Sequence, residues 1–273
     1  MAFSTDKQRE VSPVNEKVIE TLKVENDRLK AELSDLKAGT NQYLQNVAHQ
    51  LTAPLGAIKW SIEALKDERV PLSRKGKLLS SIYSQATILV HLIKNFALMS
   101  NLEADHELGQ FREKPEPIAI VNIAINLAND FQPQARDVEI KVLVNNESFQ
   151  RAFGEKRLSI EKNLVAQAMS NILENAVKYA DPGTTITVSG RGDDKSVGIV
   201  IENIGIPISD EEKHRLFERH YRGRAAMQKV AAGTGIGLYL ASRVMAFHGG
   251  RIDVENREKL SIFSLMFSRE RLI

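Results

Sequence analysis

Gly233-Thr234-Gly235-Ile236-Gly237-Leu238-Tyr239-Leu240-Ala241-Ser242 is the stretch that decides the fold. Three glycines at alternate positions open an apolar helical run. Without Cβ atoms, their backbone N–H groups can crowd around a phosphate at a helix N-terminus. Upstream stands an amide-bearing helix, Asn171-Ile172-Leu173-Glu174-Asn175-Ala176-Val177-Lys178-Tyr179. Well before it comes an isolated histidine ahead of a proline, Ala48-His49-Gln50-Leu51-Thr52-Ala53-Pro54-Leu55.

Composition narrows the rest. A chain of 273 residues suits two modules plus an extension. A hydrophobic share of 42% and a charged share of 26% are those of an ordinary globular protein. The net charge is only +2, from 37 basic and 35 acidic side chains. With no basic–aromatic stripe, nucleic acid is not an expected partner. Cysteine is absent, which excludes disulfides and thiolate-bound metal and fits a reducing cytoplasm. No stretch reaches the roughly 18 apolar residues of a membrane span. The longest, Pro117 to Leu127, is interrupted by Asn122 and Asn126. The start, Met1-Ala2-Phe3-Ser4-Thr5-Asp6-Lys7, lacks the apolar core of a signal peptide. The expectation is a cytoplasmic protein without membrane insertion.

Residues 1–14 are polar and contain Pro13, and read as a flexible leader. From 15 to 40 the pattern is a coiled-coil helix, with Leu22, Leu29 and Leu36 at heptad position d. Ile19, Asn26 and Leu33 then occupy position a, and the single Asn favours a parallel pair in one register. Continued, this register puts Tyr43 at d, Val47 at a and His49 at c, on the outside of the coil. Pro54 should bend the helix. After a break at Asp67–Pro71, with Ser73 as an expected N-cap, a second helix carries the stripe Leu79, Ile82, Ala86, Leu89, Ile93, Phe96. Residues 41–104 therefore form an antiparallel helical hairpin, and a second copy of the hairpin completes a dimeric four-helix bundle.

The segment 105–117, with Pro115 and Pro117, reads as a linker. Residues 118–273 mix elements: helices from Ile118 to Phe131, about Glu161 to Tyr179, and Gly235 to His248. Strands are expected over Val138–Val144, Thr185–Ser189, Val197–Glu202, Arg251–Val254 and Ser261–Phe267. The class is α followed by α+β, the second module being an α/β sandwich with helices on one face of a mixed sheet. The long polar stretch from Gly205 to Gly233 reads as a functional lid.

These motifs, in this order, resemble the boxes of sensor histidine kinases. His49 to Leu55 looks like the H box, Asn171 to Tyr179 the N box and Asn203 to Ile208 the G1 box. Leu216 to Gly223 resembles the F box and Gly233 to Leu238 the G2 box; together they span roughly residues 41–268. The resemblance implies that 41–104 is a dimerisation and histidine phosphotransfer domain and 118–273 a catalytic ATP-binding domain shared with gyrase and heat-shock chaperones. It implies His49 as phosphoacceptor and Asn175 as the Mg²⁺ ligand, an oxygen donor suited to that hard cation. Asn171 lies one turn earlier, Lys178 matches a phosphate contact and Tyr179 lies against the adenine. Phe217 and Tyr221 would anchor the lid, while Arg222, or else Arg219 or Arg224, reaches the phosphates. Asn203, Gly205, Gly233, Thr234, Gly235, Gly237 and Leu238 complete the ATP site. The implied partners are a second copy of the chain and a separate response regulator carrying an acceptor aspartate. An upstream sensor protein, acting through the N-terminal coil, is a further implied partner.

Three departures stand out. Gln50 replaces the acidic residue that usually follows the histidine. An amide orients an imidazole but takes no proton, so autophosphorylation slowed by about 10²-fold is expected. Ala53 stands where a Thr or Asn often positions water for dephosphorylation, and Thr52 is about 100° away around the helix. Asn203 replaces the aspartate that accepts from the adenine amino group, and Pro207 replaces a glycine. A neutral acceptor is weaker by roughly 1–1.4 kcal/mol, or about five- to tenfold in affinity. The alternative to an active kinase is therefore a degenerate kinase, a dimeric scaffold with weak ATP turnover.

Overall fold

The computed structural model describes residues 13–67, 69–103, 114–230 and 233–273, and the side chains of these apart from 13–19, 35–43 and 101–103. Most of the expected leader and of the expected linker, and the side chains of Ile19, Leu36 and Tyr43 in the heptad, lie outside the described residues. Two compact units are present, Met1–Asn46 and Val47–Ile273. In the first, the helix exposes Leu22 at 63%, Leu29 at 54% and Leu33 at 50%, with Arg28 paired to Glu32 one turn on.

The stem of the second unit is a helical hairpin. Helix α1 (Pro13–Leu65) contains Pro54 without ending there. It closes through tight i→i−3 bonds, Lys66 N–H to Glu63 O and Asp67 N–H to Ala64 O. Helix α2 (Leu72–Glu103) starts on the Pro71 carbonyl, which accepts from the N–H groups of Arg74 and Lys75. Ser73, the expected cap, therefore lies inside the first turn, and the cap position falls to Pro71, whose carbonyl takes the first helical bonds. Leu79, Ile93 and Phe96 of the expected stripe are exposed, along with Trp60 and Leu55 of α1.

The α/β module begins at β1 (Glu116–Ile118), which pairs antiparallel with β3 (Leu158–Ile160). Helix α3 (Ile120–Asp137) buries Ile120, Ile123, Ala124, Leu127, Phe131 and Ala135, an amphipathic row that runs past Pro133. Strand β2 (Lys141–Asn145) starts later than its apolar pattern suggests. Val138 is spent as the C-cap of α3, and Glu139 takes a positive φ of 60°. Asn145 then caps α4 (Asn146–Phe153), its side chain accepting from Ser148 N–H.

The main sheet has the order β2-β4-β5-β7-β6. Here β4 is Thr185–Gly192, β5 Ser196–Ile204, β6 Arg251–Arg257 and β7 Leu260–Ser268. Among the described strands, only β2 and β4 pair in parallel. The central strands β5 and β7 are buried along most of their length, and α5 (Lys162–Tyr179) packs against α8 (Gly237–Phe247) and α3.

A second face of α2 packs on this module. The ring of His91 stacks on Phe131 at 5.1 Å, and its Nδ1 lies 2.7 Å from the Ser170 hydroxyl. Burial, reinforced by Lys94 and opposed by Asp130, lowers its pKa from 6.5 to about 4. The packed imidazole is therefore neutral. Its stabilising contribution is complete above pH 6.5 and is lost as pH falls from there towards 4, to a total of about 3 kcal/mol. His91→Gln keeps a partner for Ser170 and removes the titration. The acid limb of a thermal-stability profile between pH 6.5 and 4 should be steep in the parent and shallower in His91→Gln; equal slopes contradict this.

Candidate functional site: an apolar cleft beside a glycine loop

Between the C-terminal half of α5, the end of β5 and the lid lies a cleft with about 580 Å³ of atom-free space. Asn175, Ala176 and Tyr179 form one wall, Asn203, Ser261 and Phe263 the floor, and Pro207, Ile208, Leu216 and Ala226 the lid side. Leu238, at the start of α8, closes it. Carbon dominates this lining, as suits a flat aromatic base. Neither Asn175 nor Asn203 has a side-chain hydrogen-bond partner among the described residues, although Asn203 is 4% exposed. Unpartnered carboxamides facing an apolar cleft are groups that a ligand can satisfy.

The lid is fixed at several points. Ser209 and Glu212 form a reciprocal capping box on α6 (Asp210–Lys213). The other oxygen of Glu212 accepts from Arg224 N–H at 3.2 Å, at the start of α7 (Arg224–Lys229). Lys229 then donates to the carbonyls of Tyr179 and Ala180, at the C-terminal end of α5. Gly205 passes so close to α5 that a Cβ there would stand 2.1 Å from the Tyr179 carbonyl oxygen. Arg215 stacks on the Tyr221 ring at 4.4 Å. Leu216, rather than its neighbour Phe217, reaches the cleft.

The far end of the lid meets the glycines. His220 N–H donates to Gly235 O at 3.1 Å, and its Nδ1 lies 3.2 Å from Thr234 O. The guanidinium of Arg222 donates to the carbonyls of Gly233 and Val230. A Cβ at Gly233 would lie 3.1 Å from Arg222 Cζ and 3.3 Å from Lys178 Nζ, so two cations flank the loop. Burial lowers the Lys178 pKa; Glu174 opposes the shift and Arg222 adds to it. Burial raises that of Glu174, against the pull of Lys178. A cation destabilised by burial and by a second cation is relieved by an anion, and a phosphate supplies one.

Gln50 reaches this loop. With its carboxamide oxygen turned towards the glycines, it accepts from Gly233 N–H and Thr234 N–H, both at 3.1 Å. It thus takes two donors that a phosphate oxygen would use. Gln50→Ala should tighten ATP binding by about fivefold, the worth of roughly 1 kcal/mol of displaced hydrogen bonding. Gln50→Glu, whose carboxylate suits a site flanked by Lys178 and Arg222, should weaken it by about tenfold at low salt. Titration with a fluorescent nucleotide checks the pair; shifts in the same direction would refute the competition.

Other sequence-derived candidates fall elsewhere. Asn171 is 2% exposed and does not line the cleft. Its Nδ2 donates to Gly237 O at 3.1 Å, and its Oδ1 accepts from Asn95 Nδ2 of α2 at 2.7 Å. Gln167 donates to Asn95 Oδ1 at 2.8 Å, completing an amide chain from stem to α5. His49 is exposed on α1, next to the residue that touches the glycines. The Thr52 hydroxyl donates to Ala48 O at 2.7 Å and is turned to its own backbone. Glu212, Lys229 and Asn95 were not singled out from sequence; of these only the Ser209-x-x-Glu212 capping box was readable there.

Comparison with known proteins matches residues 40–105 to the His Kinase A (phospho-acceptor) domain. Residues 160–270 match the histidine kinase-, DNA gyrase B- and HSP90-like ATPase family. The chain is 28% identical to the histidine protein kinase DivJ of Caulobacter vibrioides over 236 residues, 85% of this chain and 37% of that protein. It is 25% identical to the sensor-like histidine kinase SenX3 of Mycobacterium tuberculosis over 219 residues, 80% of this chain and 51% of that one. The chain thus spans about half the length, or less, of the curated relatives it matches. The Acinetobacter baumannii histidine kinase AdeS superposes with a TM-score of 0.51 at 18% identity, over 81% of this chain and 97% of that one, a likeness of fold. With both domain families in tandem, in the order of the five sequence boxes, the chain belongs to the sensor histidine kinase family.

Proposed function

We propose that this chain is an ATP-dependent protein-histidine kinase of a two-component system, homodimeric through its stem and cytoplasmic in action. The observation that carries it is the pairing of an apolar cleft holding two unpartnered carboxamides with a glycine loop flanked by Lys178 and Arg222. The base would enter the cleft, and the phosphates would extend to the amides of Gly233 and Thr234. Asn175, on the same face as Lys178, would hold Mg²⁺, which offsets charge on the triphosphate when bound. An imidazole nitrogen of His49 would form the new bond to the terminal phosphorus as the bond to the bridging oxygen breaks and ADP leaves. Gln50 accepts no proton, so the imidazole proton passes to water. The phosphoryl group would then move to an aspartate of a separate response regulator. The exposed stripes on α1 and α2 would be covered by a second copy, and the N-terminal coil would receive the signal of an upstream sensor.

The occupied glycine loop and the neutral Asn203 favour a second reading, a scaffold with weak turnover. No helix among the described residues is long and apolar enough to cross a membrane. Incubation with γ-labelled ATP and Mg²⁺, scored for acid-labile and base-stable label, separates the two. Label supports the kinase; nucleotide binding without label supports the scaffold.

A further inference from the structure

Asn203 carries a hydrogen-bonding group that the fold fixes in place but does not use. Its backbone is set in β5 opposite Ser261 of β7. The residue is 4% exposed, and its side chain faces the cleft without a partner among the described residues. The neighbouring polar groups are committed elsewhere. Glu212 Oε2 accepts from the Ser209 N–H and hydroxyl, its Oε1 accepts from Arg224 N–H, and the Ser261 hydroxyl donates to Asn256 Oδ1. Asn175 stands one turn from Lys178 on α5, towards the phosphate end. Reading the base therefore falls to Asn203.

Resting on the nucleotide-site reading above, we propose that Asn203 makes the cleft ambivalent for the purine 6-position, so that 6-oxopurine triphosphates bind as well as ATP. Adenine presents an amino donor at that position, and hypoxanthine and guanine present a carbonyl acceptor. A carboxylate only accepts: it matches the amino group and repels the carbonyl. A carboxamide offers an acceptor on one side and two donors on the other. No described residue holds it in either orientation, so a half-turn about its last bond exchanges the two faces. The same buried position that would discriminate with an acid loses that discrimination with an amide.

Inosine triphosphate is the probe, because it carries the 6-carbonyl without the extra amino group of guanine. The full chain, with Mg²⁺, is titrated with a ribose-modified fluorescent ATP analogue, which ATP and inosine triphosphate then displace. The parent should bind the two within about tenfold of each other. Asn203→Asp should weaken inosine triphosphate by about 100-fold or more relative to ATP, while Asn203→Ala should weaken both alike. A parent that binds ATP at least about 100-fold more tightly than inosine triphosphate overturns the inference and leaves the nucleotide site standing. A parent that binds neither overturns both.

Discussion

His49→Ala is expected to abolish acid-labile labelling from γ-labelled ATP while leaving ATP affinity within about twofold and thermal stability within about 0.5 kcal/mol. The asymmetry follows from position. His49 is exposed on α1, and truncating an exposed side chain away from caps and cores costs little. The nucleotide, by contrast, would touch α5, β5, the lid and α8, all of which the substitution leaves intact. Asn175→Ala supplies the complementary pattern, because its carboxamide faces the cleft. It should lose label together with Mg²⁺-dependent nucleotide affinity. Persistent label in His49→Ala would move the acceptor to another side chain; undiminished Mg²⁺-dependent affinity in Asn175→Ala would remove its assigned role.

What the sequence disclosed is what local spacing encodes. The glycines of Gly233–Gly237 announce a loop before a helix, and α8 begins at Gly237. The stripe through Leu79, Ile93 and Phe96 is exposed on α2, where a partner would be needed. The opposite face of the same helix was invisible, because Ser84, His91 and Asn95 make no apolar stripe. His91 and Asn95 are buried or half-buried only because Ser170, Phe131 and Asn171 come to meet them from distant parts of the chain. Asn171 shows the same limit. From spacing it shares a helical face with Asn175, yet Asn95 and Gly237 use both ends of its amide. The late start of β2 is a third case. Apolar alternation begins at Val138, but the end of α3 takes that residue as its cap. Lys229 had no signal at all, since its partners, two backbone carbonyls at the end of α5 and the Asp181 carboxylate, lie far upstream.

Gly235→Ala is expected to weaken ATP binding and reduce labelling by at least about 100-fold, with the α/β module still folded. Gly235 sits at φ +66°, where an added Cβ costs roughly 1–2 kcal/mol of backbone strain. That strain is the smaller part. The new Cβ would stand 2.7 Å from the carbonyl carbon of His220 and 2.8 Å from the carbonyl oxygens of His220 and Tyr221. Those atoms are backbone and belong to the lid, so the lid must move as a unit. Moving it breaks the His220 N–H bond to Gly235 O and shifts Arg222, which flanks the phosphate end. Gly249 provides the control, with a φ of +62° and no atom within 4 Å of a built Cβ. Gly249→Ala incurs the same conformational strain without the collision, and should lower stability by about 1 kcal/mol while leaving ATP affinity unchanged. Equal losses of affinity in the two variants would show that strain, not lid displacement, is responsible. A large loss confined to Gly235→Ala identifies the contact of lid and glycine loop as the joint on which nucleotide binding turns.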